Sequence, residues 1–176
     1  MRMWSSFCAA MLIPHCLAMA EPAGDPWLLV VSAAQQDDEA VRVVLEDFQS
    51  IAAHYGLLVT AITEETENAG GNVIILGDAT RNRRTARLVQ AGALSLQPEI
   101  DPEGYEIRTI EHPGGRMLVV AGGSVIGDVY GLYWVMDRLR VHRRIPDINE
   151  VREPAMKVRL AAAWGRHGFG GRTKEQ

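Results

Sequence analysis

Residues 119–140, VVAGGSVIGDVYGLYWVMDRLR, join an apolar strand to a glycine-rich turn and a helix, and this order could bind phosphate. The backbone N–H groups of such a turn and of the helix start can be presented to an anion. A dinucleotide-binding fingerprint needs G-x-G-x-x-G, in which the middle glycine leaves room for the pyrophosphate. Gly122 and Gly127 match the outer positions, but Ser124 stands in the middle one. The motif is therefore incomplete where clearance matters most.

The neighbouring elements also argue against a nucleotide site. A Rossmann domain opens with this unit and continues with several parallel strands, whereas Pro146 and Pro154 interrupt the short stretch after the helix. The strand before the turn belongs to a predicted antiparallel hairpin through HPGG, residues 112–115. We therefore interpret Gly127 and Gly131, four residues apart on the helix, as positions where its backbone packs closely against another element.

No other pattern indicates catalysis, a cofactor or a metal. The five histidines include no pair at the helical spacing of metal ligands, and neither a nucleophile elbow nor a Walker loop is present. Arginines cluster on the exposed side of the second predicted helix and could hold an anion, but a solvated helix face is the favoured interpretation: Arg81, Arg83, Arg84 and Arg87. The sequence thus predicts no catalytic residue, no cofactor and no metal ligand.

Composition indicates an ordinary globular protein. The chain has 176 residues, 47% of them hydrophobic, and a formal net charge of −4. That length can bury a core of its own. A mildly acidic chain without a concentrated basic surface gives no reason to expect nucleic acid or a membrane as a partner.

Residues 1–20 have the layout of a secretory signal peptide, with Arg2 near the start, an apolar stretch and Ala18-x-Ala20 at the end. We expect cleavage near Ala20 and export to the periplasm or the medium, with residues 21–26 as a spacer. A lipid-modified Cys16 is the alternative, which His15 disfavours. The only cysteines, Cys8 and Cys16, lie in this leader, so the exported domain has no disulfide framework.

The main domain, residues 27–145, alternates apolar runs with amphipathic segments, as α/β proteins do. Helix starts are expected at Asp37 or Asp38, at Thr80 and at Ser124, because these side chains can accept hydrogen bonds from free backbone N–H groups. Strands are expected at 27–33, 57–62 and 72–77, and in the two arms of the hairpin.

The segment Gly104 to Leu139 resembles the closing hairpin and helix of the non-catalytic N-terminal domain of family 67 α-glucuronidases. The resemblance rests on the strand GYEIR, the strand end VVAGG and the helix GDVYGLYWVMDRL, and it extends over roughly residues 26–155. Related domains include domain 2 of family 20 β-hexosaminidases. The resemblance implies a mixed sheet with helices packed mainly on one face, and a role in a secreted enzyme of xylan degradation.

In that family the domain leads into a catalytic (β/α)₈ barrel. The stretch EPAMKVRLAAAW, residues 153–164, resembles the linker and first barrel strand, which would place Arg159 and Trp164 at the substrate side or the interdomain contact. Such a barrel needs about 250 residues. The chain cannot contain one, so the resemblance assigns it no catalytic residue and predicts that it is inactive alone.

Residues 146–176 are therefore expected to be a linker and the start of a missing barrel. Val158, Leu160 and Trp164 would then lack a partner surface, which predicts a mobile tail. The alternatives are the accessory domain of a β-N-acetylhexosaminidase-like enzyme and a free-standing module that binds a polysaccharide or a protein partner. A sugar-binding module would need an exposed aromatic platform, for which only Trp27 and Trp164 are candidates.

Overall fold

The computed structural model describes residues 26–66, 71–112 and 114–155. The predicted leader, residues 1–20, and the stretch from 156 onward lie outside these ranges. None of the helices within the described ranges is long and apolar enough to cross a membrane. The strands are β1 (Trp27–Val31), β2 (Val59–Thr63), β3 (Asn72–Leu76), β4 (Tyr105–His112), β5 (Gly115–Gly122) and β6 (Asn149–Arg152). The helices are α1 (Ala33–Gln36), α2 (Glu39–His54), α3 (Arg83–Gln90) and α4 (Val125–His142).

The strands form one mixed sheet in the order β2-β1-β3-β5-β4-β6. The first four strands of this order are parallel to one another, and β4 runs antiparallel to both β5 and β6. The predicted hairpin is confirmed, with His112 opposite Gly115 at its tip and Tyr105 opposite Gly122 at its base. Because β5 is also parallel to β3, the glycine turn lies at the carboxyl edge of the parallel strands.

The two long helices cover one face of the sheet. Alternate residues of each strand point to this face because successive side chains alternate across a strand. Phe48 of α2 and Met136 of α4 lie in the resulting core with Leu29, Ile74 and Leu118 of the sheet, and all five are at most 1% exposed. The short α3 and the chain after it cover a smaller core on the opposite face, where Leu94 packs near Ile75 and Val119. The predicted α/β fold, a mixed sheet with helices mainly on one face, is confirmed.

Side-chain caps set the helix starts. Asp38, one of the two expected residues, accepts from the amides of Ala40 and Val41 at the start of α2. Ser124 caps α4 as expected. The expectation for Thr80 was wrong.

Asn82 caps α3 and accepts from the Arg84 amide at 2.9 Å. The backbone amide and hydroxyl of Thr80 both donate instead to the Asp78 carboxylate, at 3.0 and 2.8 Å. These hydrogen bonds hold residues 78–80 in a local turn, and α3 begins only at Arg83.

Candidate functional site

The glycines of the β5–α4 turn lie where backbone touches backbone. A Cβ on Gly122 would overlap the backbone of Gly127 and Asp128, and one on Gly127 would overlap the carbonyl oxygen of Gly104. A Cβ on Gly131 would lie 2.6 Å from a methyl carbon of Val120. These glycines therefore permit α4 to approach the sheet, as the sequence predicted.

The amides of this turn are already hydrogen-bonded within the protein. The Gly122 amide donates to Asp128 Oδ1 at 2.6 Å, and the Gly123 amide donates to the Gly104 carbonyl oxygen at 3.0 Å. Ser124 Oγ accepts from the Ile126 amide at 3.1 Å. The chain's own carboxylate thus takes a position where a phosphate-binding turn holds its anion.

Asp128 is fully buried and joins the ends of three parallel strands. Gln35, after β1, donates from Nε2 at 3.1 Å, and Arg81, after β3, donates from Nε at 3.0 Å and from Nη2 at 3.2 Å. Arg81 also donates to the Gly122 carbonyl oxygen. Burial raises the pKa of the Asp128 carboxyl to about 6, even though the Arg81 guanidinium and the Gly122 amide favour the ionised form.

This cluster corrects the interpretation of the arginines as a solvated helix face. Arg81 precedes α3, and its side chain is 21% exposed and paired with a buried carboxylate. Arg84 donates to the carbonyl oxygens of Glu64 and Thr66. Arg83, with a side chain 74% exposed, and Arg87 are exposed on α3, as expected for a solvated helix face. The spacing of the arginines could not predict these contacts, because Asp128, Glu64 and Thr66 are 47, 20 and 18 residues away from the arginines that they bind.

Glu106 is a second fully buried carboxylate that the alternating pattern of β4 did not predict. Oε2 accepts from the Gln97 amide at 2.7 Å, and Oε1 pairs with the Arg108 guanidinium at 2.5 Å. Glu106 points to the face of the sheet that the smaller core covers. Its side chain is therefore buried, although the alternating pattern of β4 indicated a polar, exposed position. The side chain ties the segment before β4 to the sheet.

A groove with a volume of about 790 Å³ lies between α4 and β6. We call it the α4–β6 groove. Aromatic, carboxylate and guanidinium side chains share its lining with the last described residues: Glu103, Tyr105, Tyr130, Tyr133, Trp134, Asp137, Glu150, Val151, Arg152, Glu153, Pro154 and Ala155. Tyr133 donates to Asp47 of α2 at 2.7 Å, and this hydrogen bond raises the pKa of the tyrosine.

Trp134 lies between two guanidinium groups. The central guanidinium carbons of Arg138 and Arg152 are 3.9 and 3.8 Å from the indole centroid. Two groups at these distances cannot share one ring face, so they cover opposite faces. Because Arg152 belongs to β6, the stack fastens the last strand to α4 by cation–π attraction. The indole faces are consequently occupied and cannot stack on a sugar ring.

We expect Trp134→Leu to lower the free energy of unfolding by about 1–3 kcal/mol, because it removes two cation–π contacts worth roughly 0.5–2 kcal/mol each. Urea denaturation followed by circular dichroism measures the change. Tyr130→Leu is the matched control, because Tyr130 is on the same helix and 39% exposed, and its effect should stay within about 0.5 kcal/mol. Equal losses in the two variants would contradict the stack.

Arg159 and Trp164, the predicted substrate-side or interdomain residues, lie outside the described residues. The suggestion that Trp27 is a surface residue was wrong: it is 3% exposed, because it starts a strand that has neighbours on both sides. Among the described residues, no three histidine, cysteine, aspartate or glutamate side chains are grouped to hold a metal ion. The described residues bring together a buried polar cluster and an open groove.

No protein-family model matches the chain, and no curated protein matches its sequence. Among solved structures, it is similar to a GH138 enzyme targeting pectin rhamnogalacturonan II, with a TM-score of 0.50 and 18% identity. The similarity covers 76% of this chain and 16% of that enzyme, so the chain spans about one sixth of its length. The fold is thus one that also occurs within a glycoside hydrolase.

Proposed function

We propose that the chain is the non-catalytic accessory domain of an exported glycoside hydrolase. The observation that carries the proposal is the fold similarity to a small part of a much larger enzyme of that class, over 76% of this chain. The two fully buried carboxylates of the described residues, Asp128 and Glu106, are paired within the protein. On this proposal, turnover depends on a separate catalytic domain.

Within that class, we propose an α-glucuronidase-like enzyme that acts on xylan. The support is the sequence resemblance of the β4–β5 hairpin and α4 to the corresponding elements of family 67. The structure gives these segments a shared packing role, since Gly127 and Gly131 of α4 contact Gly104 and Val120 around the hairpin. The barrel would be the domain's partner, joined through residues 146–176, and the leader would direct export.

Coding DNA tests the accessory role most directly. Read in all three frames beyond codon 176, it should encode a (β/α)₈ barrel, in frame or displaced by a frameshift. The purified 176-residue chain should release no glucuronic acid from glucuronoxylan oligosaccharides. Absence of a barrel in every frame would contradict the accessory role, and turnover by the chain alone would contradict the assignment as non-catalytic.

A free-standing binding module is the second candidate, favoured by the volume and aromatic lining of the α4–β6 groove. Titration calorimetry with glucuronoxylan oligosaccharides distinguishes the two. We expect no heat of binding, because both faces of Trp134 are covered and Tyr130 alone is a small platform. Saturable heat that Tyr130→Ala abolishes would favour the binding module.

A further inference from the structure

The two edges of the sheet differ in how well they are protected against further pairing. An edge strand presents unpaired backbone N–H and C=O groups, and charged side chains or proline usually keep other strands away from it. At one edge, β6 carries Glu150 and Arg152, which pair at 2.9 Å. At the other edge, β2 has the sequence VTAIT, with neither a charge nor a proline. Within the described ranges, β2 is therefore the unprotected edge.

The backbone of Ala61 points away from the sheet. On either side of it, the Leu58 carbonyl oxygen accepts from the Trp27 amide and the Glu64 amide donates to the Val31 carbonyl oxygen, both at 2.9 Å. Leu58 and Glu64 therefore face β1. Successive residues of a strand direct their backbone groups to alternate sides. The residues of β2 that face outward are consequently Val59, Ala61 and Thr63.

The outward backbone groups can accept a further strand. Gln49 of α2 donates to the Val59 carbonyl oxygen at 3.2 Å, and the Thr66 amide donates to the Thr63 carbonyl oxygen at 3.1 Å. Each of these oxygens has a second lone pair. The strand order places no described strand beside Ala61 on this side, so its N–H and C=O can pair with a strand from another molecule.

We propose that two copies of this chain associate through β2, which pairs antiparallel with β2 of the second copy about a twofold axis at Ala61. In this register the two Ala61 residues exchange both backbone hydrogen bonds, and Val59 exchanges its own with the partner's Thr63. A symmetric pairing removes the unprotected edge from both copies at once. The inference does not depend on the accessory role proposed above.

The side chains of β2 match one another in this register. Thr60 lies opposite the partner's Ile62, and Val59 lies opposite the partner's Thr63. Each of these pairs joins two β-branched residues, which are favoured in strands and as cross-strand neighbours. Ala61, the smallest residue of β2, lies at the axis. A second copy is therefore the occupant that the described residues favour, because the strand that it brings is uncharged and matches β2 pair by pair.

The acids that follow β2 favour the antiparallel orientation. Glu64 and Glu65 come directly after the strand, so a parallel pairing in register would place each beside its own counterpart. In the antiparallel register, Glu64 lies opposite the partner's Leu58 and about 20 Å from the partner's Glu64, at the rise of a strand. The antiparallel pairing thus avoids the repulsion between like charges.

Sedimentation equilibrium of the full chain tests the association. A pairing of two five-residue strands belongs to the small interfaces, below about 1,200 Å², so we expect a dissociation constant on the order of 100 µM. The mean mass should rise from that of the monomer toward that of the dimer between about 10 µM and about 1 mM protein.

Two variants of β2 should weaken this association. Thr60 is exposed, and Thr60→Lys should raise the dissociation constant at least fivefold, because it places a charge on the edge. Val43→Lys, at a residue of α2 that is 46% exposed, is the control and should leave the constant unchanged. Ala61→Pro should abolish association, because it removes an outward N–H at a position where an edge strand tolerates proline.

Circular dichroism checks that each variant is folded. Should Ala61→Pro unfold, Thr60→Lys still tests the inference, because its side chain is exposed in the monomer.

Cysteine cross-linking tests the register, in a background with Cys8→Ser and Cys16→Ser. Paired residues of this kind have Cα atoms about 5.5 Å apart, so a short bismaleimide should join two Ala61→Cys chains. Leu58→Cys is the matched control: Leu58 is 53% exposed, but the register places it about 20 Å from its counterpart. We expect at least fivefold more covalent dimer from Ala61→Cys than from Leu58→Cys.

Three results would overturn the inference. They are a chain that stays monomeric up to about 1 mM, equal cross-linking of the two cysteine variants, and a Thr60→Lys variant that associates as strongly as wild type. A monomeric chain would leave an extended segment of another protein as the occupant of this edge. None of these results would affect the accessory role, which the coding DNA tests.

Discussion

Arg81→Ala is expected to lower the free energy of unfolding by about 3–5 kcal/mol at pH 8, the usual effect of removing one partner of a buried ion pair. Asp128 would keep its charge with only Gln35 and the Gly122 amide as hydrogen-bond donors. Urea denaturation at pH 5 and pH 8 measures the loss. At pH 5 we expect a clearly smaller loss, because the carboxyl is then largely protonated.

The direction of this pH dependence follows from the raised pKa. Folding moves the pKa of Asp128 from its ordinary value of 3.8 to about 6, so the folded chain binds this proton more tightly than the unfolded chain. The contribution of Asp128 to stability is therefore largest below pH 4 and is lost as the pH rises through 6. Without Arg81 the folded pKa rises further, so the difference between variant and wild type grows with pH.

Asp128→Asn provides the matched background for this measurement. Asparagine has nearly the same shape and does not titrate, so the cost of Arg81→Ala in that background should be the same at pH 5 and pH 8. If Arg81→Ala also lowers the free energy of unfolding equally at pH 5 and pH 8 when Asp128 is present, that result would show that Arg81 acts through packing rather than through the buried charge.

Gly127→Ala is expected to lower the free energy of unfolding by about 2–3 kcal/mol, although alanine is the better helix former by about 1 kcal/mol. The added methyl would overlap the Gly104 carbonyl oxygen and lie 3.0 Å from Gly122 Cα. Both neighbours are backbone atoms and cannot rotate away. Thermal or urea denaturation should show the loss directly.

Arg140→Ala is the control for this prediction. Arg140 is exposed on the same helix, and surface substitutions of this kind usually change stability by no more than about 0.5 kcal/mol. A Gly127→Ala variant as stable as wild type would mean that α4 can move away from the hairpin at little cost. The glycine turn would then require an explanation other than close packing.

The glycine turn and the α4–β6 groove both involve helix α4. Gly127 and Gly131 bring α4 close to Gly104, Val120 and Tyr105, and one turn further along the helix Trp134 meets Arg152 of β6. The close approach at the start of α4 therefore sets the position of the groove. Loss of packing at Gly127 should also disturb the α4–β6 groove.

The sequence by itself determined strands β1 to β5, helices α2 to α4, the hairpin, the Ser124 cap and the packing role of the glycines, but it did not predict α1 or β6. Each depends on residues near in sequence, whose spacing reports helix, strand or turn directly. The sequence also indicated that Asp128 is buried, although this was not predicted. Asp128 lies four residues before Leu132 and seven before Val135, on the side of α4 that faces the core.

Only the tertiary structure decided which polar side chains are buried and what they contact. Asp128 meets Gln35 and Arg81 from 93 and 47 residues away, because parallel strands bring their carboxyl ends to one edge of the sheet. Glu106 became interior because chain from elsewhere covers its face. A local pattern states that a residue is polar, but its partners and its exposure to water are set by contacts between segments distant in sequence.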